Sequence, residues 1–177
     1  MERDLTRIAL FAALIAVLGL MPRLTLASGI PLTAQSMGIM LAGTILGARN
    51  GALAVLLFLG LVALGLPLLA GGRGGLGVFA GPTLGYLIGF PLGAFVTGLI
   101  ASRFEHRMAF VPSLTGAFVG GIIVVTVCGI VGMAVMMGVS LAQATTFALP
   151  FLPGDVIKAV LTAGITAALW KARPALA

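Results

Sequence analysis

The sequence predicts an all-α membrane protein, a bundle of six transmembrane helices. Of its 177 residues, 60% are hydrophobic and only 8% are charged, whereas a soluble domain usually carries about 25% charged residues. Apolar runs of about 15 to 25 residues recur along the chain, the length that a helix needs to cross the hydrocarbon layer. The alternating pattern of a membrane β-barrel is absent. We therefore expect a single integral membrane domain over residues 1–177.

The spans follow from these runs and from the polar or glycine-rich segments between them. They lie near residues 5–21, 35–48, 51–69, 82–102, 113–138 and 145–171. Arg49 and Asn50 separate the second span from the third, and a short turn around 139–144 separates the last two. The first span resembles a secretion signal, but we expect it to be retained because no soluble mature domain follows.

The distribution of basic residues predicts that the N- and C-termini are cytoplasmic. The outer loops then hold only Arg23 and Arg73. This bias also explains the net charge of +6, since a basic inner rim attracts anionic membrane lipid, and no nucleic-acid partner is required. We expect a multi-pass protein of the cell (inner) membrane. The inner segments hold the larger set: Arg3, Arg7, Arg49, Arg103, Arg107, Lys171 and Arg173.

Asp155 and Lys158 are the only acid and the only lysine inside the long apolar stretches. A charge at membrane depth costs several kcal/mol and usually serves a function. The two side chains are about one helical turn apart and share a face. Pro153 and Gly154 predict a helix start here, where unpaired N–H groups favour a carboxylate. We expect a ligand site in the outer half of the membrane; an ion pair that only holds the bundle together is the alternative.

The loop 70–77 contains a formal GxGxxG pattern at Gly72, Gly74 and Gly77. Nucleotide binding is rejected because that pattern needs a soluble βαβ unit, and this loop joins two membrane spans. We expect a pliable outer cap over a ligand, with Arg73 as an anion contact. A plain flexible surface loop is the alternative.

Small residues recur at helical spacing in two spans. In the fourth span, Gly81, Gly85, Gly89 and Gly93 predict a groove for close helix packing. Tyr86 lies beside this stripe. It is either a tyrosine of the membrane–water interface or part of the lining of an external ligand cavity.

The first span carries two pairs of alanines four residues apart: Ala9 with Ala13, and Ala12 with Ala16. On composition alone, internal packing and docking of a partner helix remain open. Cys128 is the only cysteine, which excludes an internal disulfide. His106 is the only histidine and lies on the far side from Asp155, so neither a metal cluster nor a catalytic set is expected.

Seven segments in a fixed order carry a family resemblance: 30–35, 40–43, 46–53, 65–67, 70–77, 81–86 and 152–159. Together they resemble the BioY family, the biotin-binding S components of energy-coupling-factor (ECF) vitamin transporters. The last two segments are the most specific. Leu84 departs from the pattern, which has glycine at this position.

The resemblance implies a six-helix S-component fold that captures biotin from outside, as transported ligand rather than cofactor. It implies that Asp155 and Lys158 hold the ureido ring, whose N–H groups suit a carboxylate and whose carbonyl suits an ammonium. Thr33 and Gln35 match the family motif and are further site candidates, beside Tyr86 and Arg73.

The resemblance also implies a partner, the ECF coupling module of one transmembrane subunit and two ATPases. The family's alanine motif on the first helix docks onto this module, which favours docking for Ala9 and Ala13. The runner-up is a self-sufficient, oligomeric biotin transporter or another small-solute secondary transporter. Against it, no internal repeat is visible in the sequence.

Overall fold

The computed structural model describes residues 2–21, 24–25, 31–103 and 109–172. These residues are mostly helical, with a loop between α2 and α3 and two short strands, β1 (Leu24–Thr25) and β2 (Pro31–Leu32), which pair antiparallel. The helices are α1 (Glu2–Leu20), α2 (Gln35–Ala63), α3 (Leu84–Ala101), α4 (Phe110–Gly116), α5 (Val125–Met137), α6 (Leu141–Ala148) and α7 (Leu152–Ala172). Four residues considered in the sequence analysis lie outside the described part of the chain: Arg23, His106, Arg107 and Arg173.

Within the described residues, four helical segments are long and apolar enough to cross a membrane: Gln35–Ala63, Leu84–Ala101, Phe110–Met137 and Leu141–Ala172. The third contains a stretch of π-helix, Ala117–Val124, and the fourth a 3₁₀ turn, Leu149–Phe151. Large apolar side chains on their outward faces are exposed, as expected for surfaces that contact lipid; Ile88 and Val127, for example, are more than half exposed. The predicted all-α membrane class is confirmed.

Helix α2 reverses direction at Gly47. This residue has φ 80° and ψ 178°, a conformation that is essentially restricted to glycine. The two parts of α2 lie against each other, because a Cβ on Gly51 would come within 2.8 Å of the Ala42 carbonyl oxygen. We call residues 35–46 the first arm and residues 48–63 the second arm. The break predicted at Arg49 and Asn50 therefore lies slightly earlier in the chain.

Two predicted boundaries were wrong. The span predicted over 51–69 ends at Ala63, because Gly65 has φ 105° and Pro67 has no N–H to continue a helix. The turn predicted around 139–144 is shorter, because α6 begins at Leu141 behind a capping box. In that box the Ser140 side chain accepts a hydrogen bond from the Gln143 N–H.

The glycine stripe of α3 packs on the helix that includes α5. A Cβ on Gly85 would overlap the Cys128 carbonyl oxygen, and one on Gly89 would come within 2.9 Å of the Cys128 side chain. One on Gly93 would lie 2.7 Å from the Gly120 carbonyl oxygen. These three glycines confirm the predicted groove. Gly81 does not belong to it, since the nearest neighbouring atom to its Cβ would be 3.9 Å away.

The first arm and α7 meet along buried side chains that repeat once per helical turn, which we call the seam. Thr162 Oγ1 lies 3.9 Å from Met40 Sδ. One turn further on, the hydroxyls of Thr44 and Thr166 share a hydrogen bond of 2.9 Å. Hydrogen bonds between apolar helices stabilise their association by about 0.6–2 kcal/mol each. The seam therefore fixes the register of α7 against the first arm.

Candidate ligand-binding site

A cavity of about 90 Å³ lies where α2, α3 and α7 begin. Its walls are mixed: apolar side chains alternate with polar ones from the starts of α2, α3 and α7 and from the loop before α3. All six candidate site residues line it: Thr33, Gln35, Arg73, Tyr86, Asp155 and Lys158. Sequence positions as far apart as 33 and 158 thus share one surface.

Asp155 and Lys158 form the charged centre of this cavity. Lys158 Nζ donates to Asp155 Oδ1 at 2.8 Å, and each side chain is only 14% exposed. Asp155 lies in the first turn of α7, so a regular α-helix begins near Pro153 as predicted. The predicted free helix end was wrong, because α7 continues directly from the 3₁₀ turn Leu149–Phe151 and the Leu152 N–H is bonded to the Leu149 carbonyl. A pair so far removed from water is costly unless further hydrogen bonds satisfy it.

Ser36 supplies such hydrogen bonds, and sequence reasoning missed it. The Ser36 Oγ donates to Asp155 Oδ1 at 3.2 Å and accepts from Lys158 Nζ at 3.0 Å. Serine is common in apolar helices, and the spacing of the neighbouring residues does not mark Ser36 as unusual. Ser36 and Asp155 are 119 residues apart, so only the packing of the first arm against α7 brings them together.

Gln35 ties the start of α2 to the loop that follows it. Its side-chain amide donates to the Leu68 carbonyl at 2.8 Å and accepts from the Ala70 N–H at 3.3 Å. Thr33 accepts the backbone N–H of Gln35 at 3.3 Å. Gln35 is only 3% exposed, so one wall of the cavity is held by buried hydrogen bonds.

Tyr86 places a buried hydroxyl at the cavity. The Tyr86 ring lies 6.2 Å from the Phe151 ring at a tilt of 52°, and a Cβ on Gly129 would overlap it. Within the described part of the chain, the hydroxyl has no hydrogen-bond partner. A buried hydroxyl without a partner costs about 1–3 kcal/mol, so it is well placed to receive a polar group of a ligand.

Arg73 brings a second cation to the cavity. Its Nε donates to the Ala70 carbonyl at 3.2 Å, and the backbone of Arg73 pairs with that of Leu69. The segment 69–73 therefore forms a compact turn over the cavity, with the guanidinium half-buried at its edge.

Ala9 and Ala13 lie away from the cavity, on the exposed face of α1. Their neighbours on this face are also exposed: Leu10 by 64% and Val17 by 58%. Ala12, in contrast, is 2% exposed and packs into the core. Of the two alanine pairs in the first helix, one therefore faces inward and the other outward.

Among the described residues, no group of three or more His, Cys, Asp or Glu side chains could hold a metal ion. The polar groups at the cavity are hydrogen-bond donors and acceptors set among apolar side chains. Such an arrangement suits reversible capture of a small molecule.

The chain is similar to known proteins over most of its length. The model of the BioY family matches residues 2–175. A Rhodobacter capsulatus protein named biotin transporter BioY is 48% identical over 183 residues, covering 98% of this chain and 96% of the relative. A Bacillus subtilis protein named probable biotin transporter BioY is 45% identical over 161 residues, covering 90% of this chain and 86% of the relative.

A solved structure matches as well. It is described as the crystal structure at 2.1 Å of the S-component for biotin from an ECF-type ABC transporter. It superposes with a TM-score of 0.90 at 34% identity, covering 96% of this chain and 92% of that one. The predicted likeness to an S component is therefore confirmed. With the family model matching nearly its whole length, this chain is a transport protein rather than an enzyme and belongs to the BioY family.

Proposed function

We propose that this chain is the biotin-capturing subunit of an uptake transporter and that biotin binds in the cavity where α2, α3 and α7 begin. The observation that carries the proposal is the buried Asp155–Lys158 pair, which lies in one cavity with every other candidate site residue. The relatives named as biotin transporters support the choice of ligand.

The chemistry of the cavity suits both ends of biotin. The carboxylate and the ammonium complement the N–H and C=O groups of the ureido ring, and Tyr86 offers a further hydroxyl. Leu69, Leu87 and Phe90 line the cavity and provide apolar contact for the thioether ring and the valeryl chain. Arg73 is the candidate partner of the carboxylate.

Entry of biotin requires the cavity to enlarge. Its volume of about 90 Å³ is well below the roughly 300 Å³ or more of usual small-molecule pockets. The tip of the turn 69–73 is the element that moves, since Gly71 and Gly72 are exposed while Leu69 and Ala70 stay buried. Glycines at 71 and 72, both with positive φ, allow this turn to change shape.

We propose six membrane crossings. Three of them are α1 and the two arms of α2, and the other three are the long segments Leu84–Ala101, Phe110–Met137 and Leu141–Ala172. Both termini lie in the cytoplasm, and the cavity opens on the outer side. The exposed basic residues Arg49, Arg103 and Lys171 support this orientation. Arg49 follows the turn at Gly47, and this turn packs on Gly98 near the end of α3. Lys171 is in the last turn of α7. All three therefore lie at the end opposite the cavity, as cytoplasmic residues should.

Equilibrium binding of radiolabelled biotin to the purified full chain in detergent tests this function. We expect saturable binding that unlabelled biotin displaces and that an apolar carboxylic acid without a ureido group, such as octanoate, does not. Absence of saturable binding, or equal displacement by octanoate, would refute biotin capture.

The ECF coupling module is the proposed partner, and the exposed face of α1 is its docking site. We expect Ala13→Trp to abolish uptake of labelled biotin by cells that express the module while leaving biotin binding unchanged. The reason is that a bulky ring blocks close helix approach at a small residue. Transport assays and binding assays on the same variant check this.

The control is Ala168→Trp, at another exposed alanine, on α7, which should retain uptake. Normal uptake with Ala13→Trp would contradict docking at this face. Uptake of wild-type chain in cells without the module would instead favour the self-sufficient transporter.

A further inference from the structure

We infer that Ser36 is a positioning residue that determines how the charged pair recognises its ligand. It saturates one oxygen of Asp155 and one N–H of Lys158, so that the groups left over match a single N–H/C=O edge of a cyclic urea. This inference rests on the proposed function and specifies the chemistry of the same site.

The hydrogen bonds of the three residues have defined directions. The Lys158 ammonium can only donate, and the ionised Asp155 carboxylate can only accept. Ser36 Oγ accepts from Lys158 Nζ at 3.0 Å, so its own proton is directed to Asp155 Oδ1 at 3.2 Å. Lys158 also donates to Oδ1 at 2.8 Å. The three groups form a closed triangle in which Oδ1 receives two donors.

This triangle leaves two groups for a ligand. No described residue donates to Asp155 Oδ2, and the third N–H of Lys158 has no acceptor among the described residues. The site therefore presents one carboxylate oxygen and one ammonium N–H next to each other. Both are shielded from bulk water, because each side chain is only 14% exposed.

A cyclic urea fits this pair because its ring holds each N–H on the same side of the C–N bond as the carbonyl oxygen. One edge of the ring thus offers a donor to Oδ2 and an acceptor to Lys158. An open-chain secondary amide in its trans form places these groups on opposite sides and makes only one of the two bonds. The second N–H of the urea points away from Asp155, toward other walls of the cavity.

Ser36 can hold this geometry because its own helix is fixed on both sides of it. Gln35 is tied to the loop at Leu68 and Ala70. Further along the first arm, the seam joins Thr44 to Thr166 of α7. The Ser36 hydroxyl is therefore placed before a ligand arrives, and binding does not have to order it.

The test compares Ser36→Thr with Ser36→Val in equilibrium binding of radiolabelled biotin. The two new side chains have nearly the same volume, but only threonine keeps the hydroxyl. We expect Ser36→Thr to bind within about twofold of wild type, and Ser36→Val and Ser36→Ala to bind roughly tenfold more weakly, as for loss of a hydrogen bond to a charged group. For desthiobiotin, which keeps the cyclic urea and lacks the sulfur, we expect the same roughly tenfold loss of affinity in Ser36→Val and Ser36→Ala.

A double-mutant cycle separates positioning from a general structural role. In an Asp155→Ala background, Ser36→Val should change the Kd by less than about twofold, because the carboxylate that Ser36 positions is then absent. Equal affinities for the Thr and Val variants, or additive losses in the cycle, would overturn the role of Ser36 while leaving biotin capture intact. Failure of the wild-type chain to bind biotin would instead refute the proposed function itself.

Discussion

Asp155→Asn and Lys158→Ala are each expected to weaken biotin binding at least tenfold. Either substitution removes a hydrogen bond to the ureido ring and leaves the partner charge buried, and breaking a buried pair in this way costs about 3–5 kcal/mol. The remaining charge is also costly without ligand, so part of this loss appears as lower stability rather than lower affinity. Equilibrium binding of labelled biotin to each purified variant measures the change.

Two variants serve as matched controls for charge removal. Asp4→Asn and Lys171→Ala remove the same charged groups at exposed positions outside the cavity lining, and their affinities should stay within about twofold of wild type, below the roughly 1.4 kcal/mol of a tenfold change. Unchanged affinity in both Asp155→Asn and Lys158→Ala would exclude the pair from the site. If the controls lost affinity as well, the change in net charge would explain the weaker binding, and contact of the pair with biotin would not be needed.

Gly85→Ala is expected to destabilise the fold strongly. The added Cβ would overlap the Cys128 carbonyl oxygen and come within 2.8 Å of the Gly132 Cα. Both are backbone atoms, so relief requires α3 and α5 to separate. Overpacking usually costs 1–3 kcal/mol, and with rigid backbone on the far side we expect about 3 kcal/mol or more. The apparent melting temperature of the purified protein in detergent should fall by about 10 °C.

Gly81→Ala is the control, because it adds the same methyl group one repeat earlier in the stripe. Its Cβ would have no neighbouring atom closer than 3.9 Å, so the melting temperature should change by no more than about 2 °C, as for an open surface position. Similar melting temperatures for the two variants would show that α3 and α5 do not pack through Gly85.

Much of the fold could be predicted because a membrane restricts which segments can be helical. Apolar runs located the long helices, and the glycine stripe predicted the packing of α3 at Gly85, Gly89 and Gly93. The π-helical stretch Ala117–Val124 could not be predicted, since its composition is that of any apolar helix. The end of α2 was also missed, because Leu64, Leu66 and Leu68 continue its apolar run and conceal the loop formed around Gly65 and Pro67.

The site was predictable where a residue is unusual for its surroundings. Charges in an apolar stretch singled out Asp155 and Lys158, and a matching motif added Gln35 and Tyr86. Ser36 has no such signal, as its importance comes from hydrogen bonds across 119 and 122 residues of sequence. Structural roles were also hidden: the sequence suggested Gln35 as a ligand contact, while the fold uses its amide to hold the neighbouring loop.

The meeting of two helix starts at one cavity has an electrostatic consequence. Ser36 and Tyr86 lie in the first turns of α2 and α3, and each helix N-terminus carries the equivalent of about half a positive charge. These two ends create a positive potential at the cavity, which Arg73 and Lys158 strengthen and Asp155 only partly offsets. A carboxylate at the mouth of the cavity meets a favourable field over a broad area. An acidic ligand can therefore be attracted by backbone dipoles before any single cation contacts it.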